Sequence, residues 1–179
     1  LPNEGTTEGR KLYKETKLML ALGEMNKNND QKAIEYIKES RQWPENLGVG
    51  KPFESDIDER LEDWLTYECY TKLENNMKAQ QMLENIISFK PQKTLYIDSF
   101  SSANNLVTAW TLQRLGKQKE GEAYLDKWLN REPENPLVNW TINTFKGIES
   151  VITNDMGMDE NYRILKYFTQ NLNHGHDTK

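Results

Sequence analysis

The chain has 179 residues, with 23 Lys+Arg against 28 Asp+Glu, a net charge of −5 and only 36% hydrophobic residues. Mild acidity argues against nucleic acid as the main partner, because phosphate binding draws on clustered Lys and Arg. No apolar run approaches the roughly 20 residues a membrane helix needs. Mean hydropathy is low at −0.89, yet 5 Trp, 8 Tyr and 5 Phe are present. That is too many aromatics for a disordered chain, so the composition points to a thin fold with a large polar surface. The first residues, Leu1-Pro2-Asn3-Glu4-Gly5, carry no basic-then-apolar leader. A fragment of a longer polypeptide is the expectation, and compartment is not read from them.

In chain order, the first helical pattern places Leu18, Leu22 and Met25 on one face, followed by a polar turn at Asn28-Asn29-Asp30. A second helix then carries Ala33 and Ile37, and Pro44 stops it. The same series recurs twice. Leu61, Leu65, Cys69 and Leu73 precede a turn at Glu74-Asn75-Asn76, then Ala79, Leu83 and Pro91; Leu106, Ala109, Leu112 and Leu115 precede Gly116, then Gly121, Leu125 and Pro133. A small residue allows two helices to approach closely, and the large apolar residue four positions on lies on the same face. Proline ends the second helix, because it lacks an N–H and clashes with the preceding turn. Ser55 and Asp58 have capping-box spacing for a helix running to about Leu73. Asn135-Pro136 pairs a cap with a first-turn proline, for a helix running to about Thr153. The last helix carries Tyr162, Leu165, Phe168 and Leu172 on one stripe, as a fourth hairpin or a capping element.

These small, large-apolar and proline positions resemble the tetratricopeptide repeat, a helix–turn–helix unit of 34 residues. Ala33 and Ala79 stand 46 residues apart, and Ala79 and Gly121 stand 42 apart, so the connections are longer than that family's. The resemblance covers roughly residues 10–134. It implies an all-α fold, a right-handed α-α superhelix (a TPR-like solenoid) of three to four hairpins at about 8–43, 56–90, 99–132 and 135–173. It also implies a non-catalytic scaffold or protein–protein interaction module whose partner is a protein or peptide, or another domain of the same polypeptide. The family's concave groove positions fall on Trp64, Glu68 and Lys72 in the second unit, and on Leu106, Trp110, Gln113 and Arg114 in the third. A one-residue shift of register rotates each choice by about 100°, which leaves Trp64 and Trp110 open between core and contact.

The stretch Trp43-Pro44-Glu45-Asn46-Leu47-Gly48-Val49-Gly50-Lys51-Pro52 is a shaped loop: either Trp43 and Leu47 plug the groove between neighbouring hairpins, or the loop binds, with Trp43, Glu45, Asn46 and Lys51 as its candidate contacts. It is similar to a segment in the helical-repeat half of large bacterial proteins of uncharacterised function that also carry a carbohydrate-related β-sandwich. That resemblance implies the alternative role, an accessory module of a carbohydrate-active protein with a glycan as ligand.

Catalytic and metal chemistry find little support. Gly48-Val49-Gly50-Lys51 has Glu45 and Pro52 where a phosphate loop needs Gly and Ser or Thr. His174 and His176 are the chain's two histidines, in a polar tail and without a third ligand. Asp56, Asp58, Glu59, Glu62 and Asp63 cluster where a helix N-terminus favours negative charge. Cys69 reads as a buried structural thiol, and Asn139-Trp140-Thr141 as a sequon inside a helix. No enzyme, cofactor or metal is expected.

Overall fold

Four helices end in the same way, and those four endings set the architecture. They are α1 (Glu4–Asn26), α3 (Arg60–Lys72), α5 (Asn104–Arg114) and α7 (Pro136–Phe145). Between and after them run α2 (Asp30–Ser40), α4 (Asn76–Ser88), α6 (Gln118–Arg131) and α8 (Glu160–Asn171). The computed structural model describes residues 4–44, 57–90, 101–152 and 160–172. Among these every regular element is helical, and no helix is long and apolar enough to cross a membrane.

Each of the four endings places one residue in the left-handed region: Asn28 (φ 58°), Glu74 (φ 56°), Gly116 (φ 75°) and Gly147 (φ 70°). The amide after each reaches back five residues: Asn29 to the Glu24 carbonyl (2.9 Å), Asn75 to Tyr70 (2.9 Å), Lys117 to Leu112 (2.8 Å) and Ile148 to Asn143 (2.8 Å). This bond, with a shorter one inside it, is the Schellman ending, which satisfies carbonyls the helix leaves open. In the first three units the next helix begins two residues after the left-handed residue, producing a tight antiparallel hairpin. After Gly147 the next helix among the described residues begins at Glu160. The helix expected to run to about Thr153 therefore stops at Phe145, because Gly147 closes it with the same cap.

At the left-handed position glycine is free, asparagine tolerable and glutamate strained. Glu74→Gly is therefore expected to raise the unfolding free energy by about 0.5–1 kcal/mol, part of the strain relief being offset by glycine's larger chain entropy. A urea midpoint that stays put or falls, followed by far-UV circular dichroism, would contradict the strain.

The anchors of the repeat lie inside. Ala33, Ala79 and Gly121 are buried, as are Ile37, Leu83 and Leu125 four residues on. Gly121 has the tightest reason to be small: a Cβ there would lie 3.0 Å from the Ala109 carbonyl oxygen and 3.4 Å from Phe145 Cζ. Helix α6 thus rests against both α5 and α7. Asn75 caps α4 by accepting from the Lys78 amide (3.2 Å), and Asn135 caps α7 by accepting from Leu137 (3.0 Å), with Pro136 in the first turn. The helix expected from about Ser55 begins at Arg60 instead. Asp58 accepts from the Arg60 amide at 3.3 Å. Its carboxylate is buried against the Arg60 side chain, and Ser55 lies outside the described residues.

Packing runs α1 on α2, α3 on α4 and α5 on α6 within hairpins, then α2 on α3, α4 on α5 and α6 on α7 between them. Among the odd-numbered helices, α3 lies on α5 and α5 on α7. The last helix departs from this scheme. Helix α8 does not lie along α7 as a hairpin partner; it packs against α1.

Candidate functional site

The residues expected to line a groove come from α3 and α5, and the structure divides them. Trp64 is 1% exposed and Trp110 7% exposed. Their rings meet at 5.2 Å, and Tyr67 lies 5.2 Å from Trp64. The indoles are therefore core, the one of their two readings that leaves neither ring open to solvent. Leu106 is also fully buried. Gln113 and Arg114 are exposed at the end of α5. Lys72 is exposed at the end of α3 and pairs with Asp30 of α2 at 3.7 Å. Glu68 lies half-buried near the charges of both Arg114 and Lys72.

Trp43 is half-buried beneath the Arg10 guanidinium, 4.5 Å from its ring centroid. The other loop candidates, Glu45, Asn46 and Lys51, lie outside the described residues. So do His174 and His176 and the phosphate-loop-like Gly48–Lys51.

Trp110 is covered because α8 lies over it, with Phe168 at 6.1 Å. Helix α8 touches three odd-numbered helices. Its Asn161 donates to Asn104 at the start of α5 (3.0 Å, buried), and Tyr162 meets Trp140 of α7 edge-on at 4.8 Å. Arg163 grips Glu15 of α1 through two bonds of 2.7 and 2.8 Å, and Tyr167 accepts from Asn26 at 3.3 Å. Tyr162, Ile164, Leu165 and Phe168 are buried by this docking. The apolar stripe of α8 was visible in sequence. Its destination was not, because it is set by contacts far away in sequence, such as Glu15 to Arg163, 148 residues apart.

The carboxylates at the start of α3 are taken up by cations, chiefly from the first hairpin. Lys14 reaches Glu62 at 2.9 Å, and Arg41 bonds both Glu59 and Asp63, the latter at 2.8 Å. Burial pushes the Asp63 carboxyl above its ordinary range, with Arg41 opposing. Asp58 is held by Arg60. These acids form a seam between hairpins where a helix-dipole cluster had been expected. Among the described residues no group of three or more His, Cys, Asp or Glu is arranged to hold a metal ion. Burial also pushes the Cys69 thiol far up, and the negative charge of Asp30 adds to this. A thiol so placed remains protonated and inert at neutral pH.

Glu68 is the titratable group of the site with a readable consequence. Burial raises its pKa, and Arg114 and Lys72 only partly oppose the rise. A carboxyl with a raised folded-state pKa contributes most stability below its unfolded value, and that contribution is lost as pH rises through the folded value. Glu68→Gln, which resembles the protonated form, is therefore expected to stabilise the protein at pH 7 and to match the parent near pH 3.5. Equal melting temperatures at pH 7 would contradict this. Comparison with protein-family models, curated proteins and solved structures finds no match for the chain.

Proposed function

We propose that the chain is a non-catalytic, tetratricopeptide-like helical scaffold whose shared face, built by the odd-numbered helices, binds a protein or peptide helix. The observation that supports this reading is that the face already grips a helix, α8, through side chains of α1, α5 and α7. The arrangement is the one by which a groove takes an amphipathic helix: aromatic anchors at its floor and charged or amide groups at its rim. Exposed Arg114, Gln113 and Lys72 extend the polar rim at the ends of α5 and α3.

The glycan alternative needs indole planes open to solvent, on which sugar rings could stack. Trp64, Trp110, Trp128 and Trp140 are all buried and Trp43 lies under Arg10, so that reading draws no support from them.

A displayed library of helical peptides, selected on the intact chain, tests the scaffold. Selected peptides are expected to protect amides of α1, α3 and α5 from hydrogen exchange. Their affinity is expected to fall several-fold in the double variant Lys72→Glu/Arg114→Glu, because rim charges act on association rate and salt dependence. Binders that protect only the outer helices α2, α4 and α6 would sink the reading.

A further inference from the structure

If the shared face binds helices, its present occupant is part of the mechanism, and the inference rests on that reading. We propose that α8 is a tethered, displaceable ligand that keeps the face closed, and that the partner is an amphipathic helix with the anchor pattern of α8. That pattern is an aromatic residue, a large aliphatic three positions on and an aromatic six positions on, with a basic residue directly after the first. In α8 these are Tyr162, Leu165, Phe168 and Arg163.

Three observations carry the proposal. First, α8 stands outside the hairpin scheme. Helices α2, α4 and α6 each pack along the helix that precedes them, whereas α8 leaves α7 and returns to α1. Among the described residues, its polar and ring contacts include ones to α1, α5 and α7.

Second, its docking contains a defect. Asn161 and Asn104 form one amide–amide bond in a fully buried place, but Asn104 Nδ2 and Asn161 Oδ1 are left there without hydrogen-bond partners. Buried polar atoms left unpaired cost stability that a better-matched helix recovers.

Third, the hold on α1 is made at the surface. Arg163 is 45% exposed where it meets Glu15, and the Tyr167–Asn26 bond is also exposed. Glu15 is 21% exposed and the pair is bidentate, so it is worth more than a single-bonded surface pair, but its exposed side remains open to screening by salt. A tether compensates by raising the local concentration of α8. Apparent affinity for an outside helix is then reduced by the small fraction of time the face is open.

The test uses the intact chain and a fluorescein-labelled synthetic peptide with the sequence of residues 160–172, read by fluorescence anisotropy. The parent chain is expected to bind the peptide weakly. Phe168→Ala in the chain removes an anchor from the resident helix and leaves the receptor face unaltered. Peptide affinity is expected to rise roughly tenfold or more, as the open fraction grows. Arg163→Glu in the chain acts the same way by about threefold at low salt, and adding Glu15→Arg reverses the gain. A peptide carrying Phe168→Ala is expected not to bind any of them.

The proposal is overturned if the Phe168→Ala chain melts cooperatively with parental helicity yet shows no saturable binding. Should that variant not fold, native-state hydrogen exchange on the parent decides. Amides of α8 that exchange through an opening below the global unfolding energy uphold the proposal, and exchange only through global unfolding overturns it. Failure of the scaffold reading looks different. Library peptides bound to α1, α3 and α5 while α8 remains protected overturn displacement and leave the scaffold standing. An α8 that opens and rebinds its own peptide, with no outside helix accepted, removes the scaffold and leaves the displacement.

Discussion

Arg60→Met is expected to lower the unfolding free energy by about 3–5 kcal/mol, the range for removing one partner from a buried pair. Arg60 is 3% exposed and Asp58 1%. The guanidinium donates to both oxygens of Asp58, at 2.9 Å from Nε and 2.7 Å from Nη2. It also reaches Thr108 of α5 at 2.9 Å and lies 4.7 Å over the Phe89 ring, just beyond α4. Asp58 in turn accepts from the Ser101 amide at 3.3 Å, and Asn105 accepts from Tyr124 of α6 at 2.7 Å. One arginine therefore ties the second hairpin to the third. Burial works most strongly against its charge, but the bond to Asp58, the charge of Asp58 and the contact with Tyr124 together outweigh it, so its pKa lies above the usual value.

Methionine keeps much of the side-chain volume, so the loss measured is mainly that of stranding Asp58 without its cation. Adding Asp58→Leu removes the stranded charge and is expected to recover much of the stability, as apolar replacements of buried pairs often do. Urea unfolding followed by circular dichroism checks both. A single-variant loss under about 1 kcal/mol, or a double variant no better than the single, would mean that the pair is not the tie between the hairpins.

The second helices were legible in sequence because each one solves a local problem. A small residue meets the neighbouring helix, and a large apolar residue four positions on fills the same face. Ala33 and Ile37, Ala79 and Leu83, and Gly121 and Leu125 are buried as those rules require. The hairpin turns were legible for the same reason, although Asn28 and Glu74 stand where glycine is easier. Other features depend on contacts that no local pattern encodes. Asp58 looked like one of the acids at the charged start of a helix, and only its contacts with Arg60 and Ser101, and those of Arg60 with Thr108, make it part of a buried hub. Gly147 carried the signal for the end of α7, but the apolar residues beyond it, Ile148, Val151 and Ile152, continued a helical pattern. Trp64 and Trp110 were ambiguous between floor and surface, because the answer depends on α8, which returns from the far end of the chain.

That ambiguity yields the second large prediction. Trp64→Ala is expected to destabilise the protein by about 3–5 kcal/mol, the usual cost of removing a buried tryptophan. The indole is fully enclosed, between Tyr67 of its own helix and Trp110 of α5. Its Nε1 is buried without a hydrogen-bond acceptor. An unsatisfied donor costs about 1–3 kcal/mol, so Trp64→Phe, which removes the donor and keeps a ring, has an offsetting gain. It is expected to change stability by less than about 1.5 kcal/mol, as volume-tolerant apolar exchanges do.

The contrast between the two variants separates core from contact. A contact residue would lose partner affinity on truncation while the fold kept its melting temperature. A core residue loses stability first, and affinity only as the odd-numbered helices shift. If Trp64→Ala leaves the urea midpoint within about 0.5 kcal/mol of the parent, as substitutions at the surface do, the indole belongs to the binding face after all. If the midpoint collapses while Trp64→Phe holds, the aromatic floor supports the groove from beneath. The partner would then read the α8-facing side chains of α1, α5 and α7 in place of the indole itself.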